Sequence, residues 1–249
     1  MKNYYGKLSS IIYNLTKPVG YSIDGDLEFY FEKIKTAKGI ILEAGVGTGR
    51  MLIPFLRKGL QIEGIDSSSE MLQECQANVL RYNQETELIH GQIENFNFTK
   101  KYSAIIMPTG SICLIQDRTS VKNILEKYFD ILEDDGQIII DLIYPNYFKP
   151  NSEHEFDYKI DKNSFIKLKN ISKEIDWINQ KTSSHLIYEK YIDNELKETE
   201  VQNFDLNWYG MEEFKDMLLS AGFRNIEFIK NYGINRVLNL KTLTAIAKK

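Results

Sequence analysis

The stretch ILEAGVGTGR, residues 41–50, places glycine at positions 45, 47 and 49, directly after a short apolar run. Glycine loses more conformational freedom on folding than any other residue, so this density marks a backbone that must bend sharply or come close to something. A strand, a glycine turn and a helix in succession leave free N–H groups and the positive end of a helix dipole facing outward. That is a ready site for an anion or a nucleotide. Two glycine patterns fail here. In G-x-G-x-x-G the third glycine would fall on residue 50 or 52, which are Arg50 and Leu52. The phosphate loop G-x-x-x-x-G-K-[ST] needs a lysine that does not follow. The pattern present is E-x-G-x-G-x-G, with Glu43 at the strand end.

Working outward, apolar strands alternate with amphipathic helices. Residues 39–43, 60–65, 87–90, 103–107 and 137–142 read as strands. Residues 50–58, 67–82 and 120–132 read as helices between them, the first stopped by Gly59 and the second opened by a capping box, Ser67 with Glu70. Asp134-Asp135-Gly136 reads as a turn before the fifth strand. Continuous apolar strands separated by helices predict a doubly wound, mostly parallel sheet covered on both faces. Residues 150–206 follow a different pattern, polar and β-prone, with a hairpin around Asp193-Asn194, so they read as a small inserted antiparallel sheet. A helix over 210–220 and strands over 226–230 and 242–247 return to the α/β pattern and complete a seven-stranded sheet. Before the first strand, residues 8–15 and 26–34 read as helices broken at Pro18 and Gly20, in a segment rich in aromatics such as Tyr5, Tyr13 and Tyr21.

Composition narrows the function. With 249 residues, 31 Lys+Arg against 35 Asp+Glu and a net charge of −4, the chain suits one α/β domain and argues against a nucleic-acid partner, which needs a basic face. No apolar run reaches membrane-spanning length, and the N-terminus lacks a signal-peptide pattern. Cys75 and Cys113 read as free thiols in a reducing, cytoplasmic setting. No histidine, cysteine or carboxylate spacing points to a metal.

The segment LEAGVGTGR resembles the first motif of class I S-adenosylmethionine-dependent methyltransferases, and the layout is most similar to bacterial small-molecule members, the amino-sugar and glycine N-methylating group. The resemblance implies a Rossmann-like fold and S-adenosylmethionine as cofactor, with S-adenosylhomocysteine as product. It implies a single domain over 1–249: an N-terminal helical lid (1–36), a cofactor-binding core (37–149 and 207–249) and the inserted sheet (150–206) over the acceptor site. Ala44, Gly45, Gly47 and Gly49 would pack against the methionyl and ribose parts of the cofactor, with Glu43 in the same pocket and Arg50 set to pair with the cofactor carboxylate. Asp66, at the tip of the second strand, would accept the ribose hydroxyls, with Ser67 and Met71 beside it. The family commonly has an acidic residue where this chain has Gln92; its amide oxygen can still accept from the adenine amino group, and the Ile93 N–H suits an adenine ring nitrogen. Pro108, in MPTGSICLIQD, would border the methyl group, and that segment matches neither the [ND]PP[YF] nor the Pro-Cys motif of nucleic-acid methylases. Tyr13 and Tyr21 are the candidate catalytic residues: a phenol there reaches the cofactor carboxylate or points its oxygen at the sulfonium, unless it simply packs in the lid. His154 and His185 are alternative bases if the inserted sheet roofs the acceptor.

The expectation is methyl transfer to a small-molecule acceptor, nitrogen before oxygen, with neither a nucleic-acid nor a membrane partner. A non-catalytic binding module on the same fold and a protein side-chain methyltransferase stay open, as does the choice between monomer and homodimer.

Overall fold

The computed structural model describes residues 5–234 and 239–249; the first four residues of the expected lid lie outside them. Two sheets are present. The larger is built from β1 (Ile41–Ala44), β2 (Ile62–Asp66), β3 (Leu88–His90), β4 (Tyr102–Met107), β5 (Leu132–Ile143), β10 (Arg224–Lys230) and β11 (Thr242–Lys248). Its order is β10-β11-β5-β4-β1-β2-β3. β1 to β5 run parallel, while β11 pairs antiparallel with both β5 and β10. The order reverses at β1, where β2 lies on one side and β4 on the other. In open α/β sheets the crevice beyond the C-terminal strand ends at such a switch point is where ligands bind.

The continuous apolar strands bury both faces of this sheet. Leu42, Ile65, Ile105 and Ile140 face α5 (Arg118–Ile131) and α6 (Met211–Ser220), packing on Ile124, Leu125, Phe214 and Leu218. Ile41, Ile62, Ala104 and Ile139 face the opposite layer, packing with Tyr30 and Ile34 of α2 (Asp26–Ile34), Phe55 of α3 (Leu52–Arg57) and Val79 of α4 (Ser69–Arg81).

Two local expectations shift. The N-cap of α4 is Ser68, not Ser67: its Oγ accepts the Met71 N–H at 3.0 Å, while the Asp66 carboxylate takes the Ser68 N–H at 2.9 Å. Asp66 thus organises the first turn and leaves Ser67 outside the helix. The expected turn at 134–136 is a bulge within one long strand: Tyr102 pairs with Leu132 and Ala104 with Gln137, so the extra residues loop out of register, with Asp135 in the left-handed region at φ 65°.

The smaller sheet has four antiparallel strands in the order β6 (Ser152–Lys159), β7 (Ser164–Asp176), β8 (Lys181–Ile192) and β9 (Glu195–Asn207). Asp193 and Asn194 join β8 to β9 with φ of 52° and 64°, the conformation that a two-residue hairpin turn requires and that Asp and Asn tolerate. One face carries Ile166, Leu186 and Tyr188, which pack on Leu8 and Ile12 of α1 (Lys7–Thr16). Arg118 at the start of α5 rivets this sheet to the core. It meets Glu213 at 2.5 Å, Gln180 at 3.0 Å and the Trp208 carbonyl at 3.2 Å, and stacks over the Tyr209 ring.

Candidate active site

Beyond the C-terminal ends of β1, β2 and β4 lies a cavity of about 1150 Å³. Its floor comes from the core: Gly45, Gly47, Asp66, Ser67, Met71, the 90–94 turn and the 107–111 loop. Its roof comes from Tyr5, Tyr13, Thr16, Lys17 and Tyr21 near the N-terminus and from Phe204 and Leu206 of β9. Ligand pockets span roughly 300–1,000 Å³, so this volume exceeds that of an ordinary single-ligand pocket.

The glycine turn explains its own composition. Gly45, Gly47 and Gly49 all have positive φ, at 73°, 55° and 81°, which L-residues adopt only under strain. They differ in what a side chain would strike. At Gly49 a Cβ would lie 2.9 Å from the Cys75 sulfur, so this glycine lets the turn pack on α4. At Gly45 it would lie 2.8 Å from Ser111 Oγ. At Gly47 the nearest atom is Met71 Sδ at 4.0 Å, so the Gly47 backbone faces open cavity. The Asp66 carboxylate holds the turn in place, accepting the Gly47 N–H at 2.8 Å on its second oxygen. Burial pushes the Asp66 carboxyl above the ordinary range, while the N–H groups of Ser68, Gly47 and Ser67 oppose that shift.

Of the residues expected in the site, the structure brings Tyr13, Tyr21, Gly45, Gly47, Asp66, Ser67, Met71, Gln92 and Ile93 around one cavity. Glu43, Ala44, Gly49, Arg50 and Pro108 do not line it. Arg50 is engaged within the protein. Its guanidinium is buried and makes a two-pronged pair with Asp26, at 3.1 and 2.6 Å, and donates to the Tyr21 carbonyl at 2.7 Å. It ties α2 to the glycine turn and stands beside Tyr13, one layer behind the cavity wall. Glu43 lies behind the turn, where burial pushes its carboxyl up to about 8, and its Oε2 has no hydrogen-bond partner. Ala44 is buried within β1, and Pro108 is buried below the loop it opens. His90 lines the cavity, with Nε2 3.3 Å from the Ser67 carbonyl oxygen; His154 and His185 sit on the smaller sheet away from it.

The fold and the segment that carries the glycine turn have matching relatives. Residues 41–136 match the model of a methyltransferase domain family. That match covers under half of the chain. Its architecture is similar to that of an S-adenosylmethionine-dependent methyltransferase from Clostridium acetobutylicum, at a TM-score of 0.74 and 20% identity over 96% of each chain. It is also similar to a sugar N-methyltransferase from Streptoalloteichus, at a TM-score of 0.79 and 15% identity over 100% of this chain and 96% of that one. In sequence, a glycine/sarcosine N-methyltransferase of Aphanothece halophytica is 26% identical over 140 residues, 53% of this chain and 52% of that protein. The chain spans about half the length of the curated relatives it matches.

The cavity fits S-adenosylmethionine on its own features. A Cβ-free wall at Gly47 admits close approach, and the Asp66 carboxylate faces the same space. The apolar body of Met71 lies beside them.

Sequence reasoning missed three supports of this cavity. Lys127 of α5 donates to the carbonyls of Ile93, Glu94 and Phe96, at 3.3, 2.6 and 3.0 Å, and so gathers the turn that carries Gln92 and Ile93. Asp141, wholly buried on β5, accepts from the Thr109 N–H at 2.8 Å, the Tyr232 hydroxyl at 2.8 Å and the Thr244 hydroxyl at 2.7 Å. Burial raises its carboxyl to about 6 against those hydrogen bonds. Thr109 has φ of 55°, an outlier for a β-branched residue, and the Asp141 contact fixes this strained loop on the cavity wall. The one available signal was an acid in the otherwise apolar run QIIIDL. The third is Lys17, at the C-terminal end of α1, which lines the cavity.

Proposed function

We propose that this protein transfers the methyl group of S-adenosylmethionine to a nitrogen atom of a small-molecule acceptor, in the cytoplasm. The observation that carries this reading is the single cavity of about 1150 Å³, continuous from the glycine turn to Phe204 and Leu206, which has room for a cofactor and an acceptor side by side. The cofactor would lie on the floor, with adenine toward Gln92 and Ile93, ribose toward Asp66 and the methionyl end over Gly45 and Gly47. The acceptor would lie beneath the smaller sheet. Two buried free thiols suit a reducing compartment, and no described helix is long and apolar enough to cross a membrane.

When bound, the cofactor supplies an already electrophilic methyl group. The chain's own task is to hold acceptor and methyl group in line and to exclude water, and positioning of this kind supplies ~7–11 kcal/mol in favourable cases. Tyr13 and Tyr21 border the region where the two ligands would meet. Burial raises the Tyr13 phenol above its ordinary value, with Arg50 opposing, so Tyr13 stays neutral and offers an oxygen lone pair. An amine needs only to reach its neutral form before attack, whereas a hydroxyl more often needs a base. Among the described residues no three histidines, cysteines or carboxylates gather as a metal site. The names of similar proteins, a sugar N-methyltransferase and a glycine/sarcosine N-methyltransferase, favour the same choice of atom.

The test is methyl transfer from isotopically labelled cofactor to matched acceptor pairs, amino sugars and amino acids against their hydroxyl counterparts, with peptides as a further set. Product from the amines alone is expected. Product from the hydroxyl compounds or the peptides alone would overturn the reading.

A further inference from the structure

The charge balance of the cavity is uneven. Its walls carry the acidic residues Asp24, Asp66, Glu70 and Glu94. Asp24 is paired with Lys241 at 3.2 Å. Among the described residues Lys17 is the only lysine or arginine on the cavity wall. Its ammonium stands 4.5 Å from the centre of the Tyr13 ring and has neither an ion pair nor a hydrogen bond among the described residues. Burial and the nearby Arg50 push its pKa below the ordinary lysine value. A lysine held in a cavity with an unshared charge is costly unless a ligand supplies the anion.

The place of Lys17 identifies which end of the ligand it meets. It caps the C-terminus of α1, its backbone N–H donating to the Tyr13 carbonyl at 2.8 Å. That end of α1 lies over the glycine turn. The Asn78 amide on α4 joins the two, donating to Asn14 of α1 at 2.9 Å and to the Thr48 carbonyl of the turn at 3.0 Å. The chain just beyond α1 is tied to the same turn, the Gly20 N–H donating to the Arg50 carbonyl at 3.0 Å. Arg50 itself is paired with Asp26 and does not line the cavity.

We infer that Lys17, rather than Arg50, is the cationic partner of the cofactor carboxylate, so that the cofactor bridges the core floor and the N-terminal helix. This rests on the placement of the methionyl end proposed above. The ligand chemistry is that of an α-amino acid carboxylate met by an ammonium group against an aromatic face, with Tyr13 holding the lysine in place by its ring. Arg50 acts one layer behind, fixing α2 and the Tyr21 backbone.

The test compares two probes by calorimetric titration: S-adenosylhomocysteine, and 5′-methylthioadenosine, which keeps the nucleoside and lacks the amino acid. In Lys17→Met, affinity for S-adenosylhomocysteine should fall about ten- to a hundredfold, the loss of a charge-assisted contact. Affinity for methylthioadenosine should stay at the wild-type level, and Lys17→Arg should recover part of the loss. Undiminished S-adenosylhomocysteine binding in Lys17→Met would overturn the inference. So would an equal fall for both probes, because Lys17 would then be acting through the folding of α1. Failure of the wild-type protein to bind either probe would instead overturn the placement of the cofactor in this cavity.

Discussion

The floor and the roof of the cavity are built by different means. Most of the floor is short-range: from Ile41 to Glu94 the chain makes β1, the glycine turn, α4 and the 90–94 turn, and the Asp66 carboxylate ties Gly47 to Ser68 within that span, with the 107–111 loop added from farther along. The roof is long-range. α1 is held by a carboxylate from the far side of the sequence, Glu200 of β9, which accepts the Leu8 N–H at 2.6 Å and the Ser9 N–H at 3.2 Å. The roof exists only where α1 and the smaller sheet meet. In the proposed reading a floor of this kind serves many acceptors and the roof decides which one enters.

The contrast can be broken most strongly at the joint between the two. Asp26→Ala leaves the buried Arg50 charge without its partner, and unfolding in urea should show a loss of about 3–5 kcal/mol. A loss below about 1 kcal/mol would mean that the joint carries little of the fold.

Next in size is the buried carboxylate beneath the turn. Glu43 keeps its proton in the folded state up to about pH 8, while the unfolded chain releases it near 4.5, so raising pH across that window removes stability. The loss in the wild type should be on the order of 3 kcal/mol between about pH 5 and about pH 8. Melting of Glu43→Gln over the same range should show a flatter profile; an unchanged slope would mean that Glu43 is ionised where it lies.

Asp66→Ala acts on the floor alone. Affinity for S-adenosylhomocysteine should fall ten- to a hundredfold, on the loss of bonds worth about 1.5–3 kcal/mol. Equal affinity in a folded variant would remove Asp66 from the cofactor site.

The smallest change acts on the roof alone. Glu200→Ala removes the carboxylate cap of α1, with an expected cost of about 0.5–2 kcal/mol. It should raise hydrogen exchange in residues 7–16 while leaving 41–50 protected. Equal exposure of both segments would mean that the roof and floor open as one unit.

The same contrast sets how much could be read from the sequence. The floor was legible because its signals are local: three alternating glycines after an apolar run, an acid at the next strand tip, a serine and glutamate opening a helix. Even there, reading Ser67 as the cap missed by one residue, since Asp66 also bonds to the start of the helix. The ion pair of Arg50 was not legible. Its partner Asp26 lies 24 residues away on a helix whose docking no local pattern reveals. The hairpin at Asp193-Asn194 was legible because those residue types suit left-handed backbone, but its seating on α1 through Ile166, Leu186 and Tyr188 was not. Lys127 and Lys17 carry no motif. Each gains meaning only from backbone carbonyls or a ring brought near by tertiary packing.

The most direct measurement is a crystal structure of the protein with S-adenosylhomocysteine. Adenine against Gln92 and Ile93, ribose hydroxyls on Asp66, and the sulfur directed toward Phe204 and Leu206 would match a floor for the cofactor and a roof for the acceptor. Adenosine seated beneath the smaller sheet, with Asp66 untouched, would contradict it.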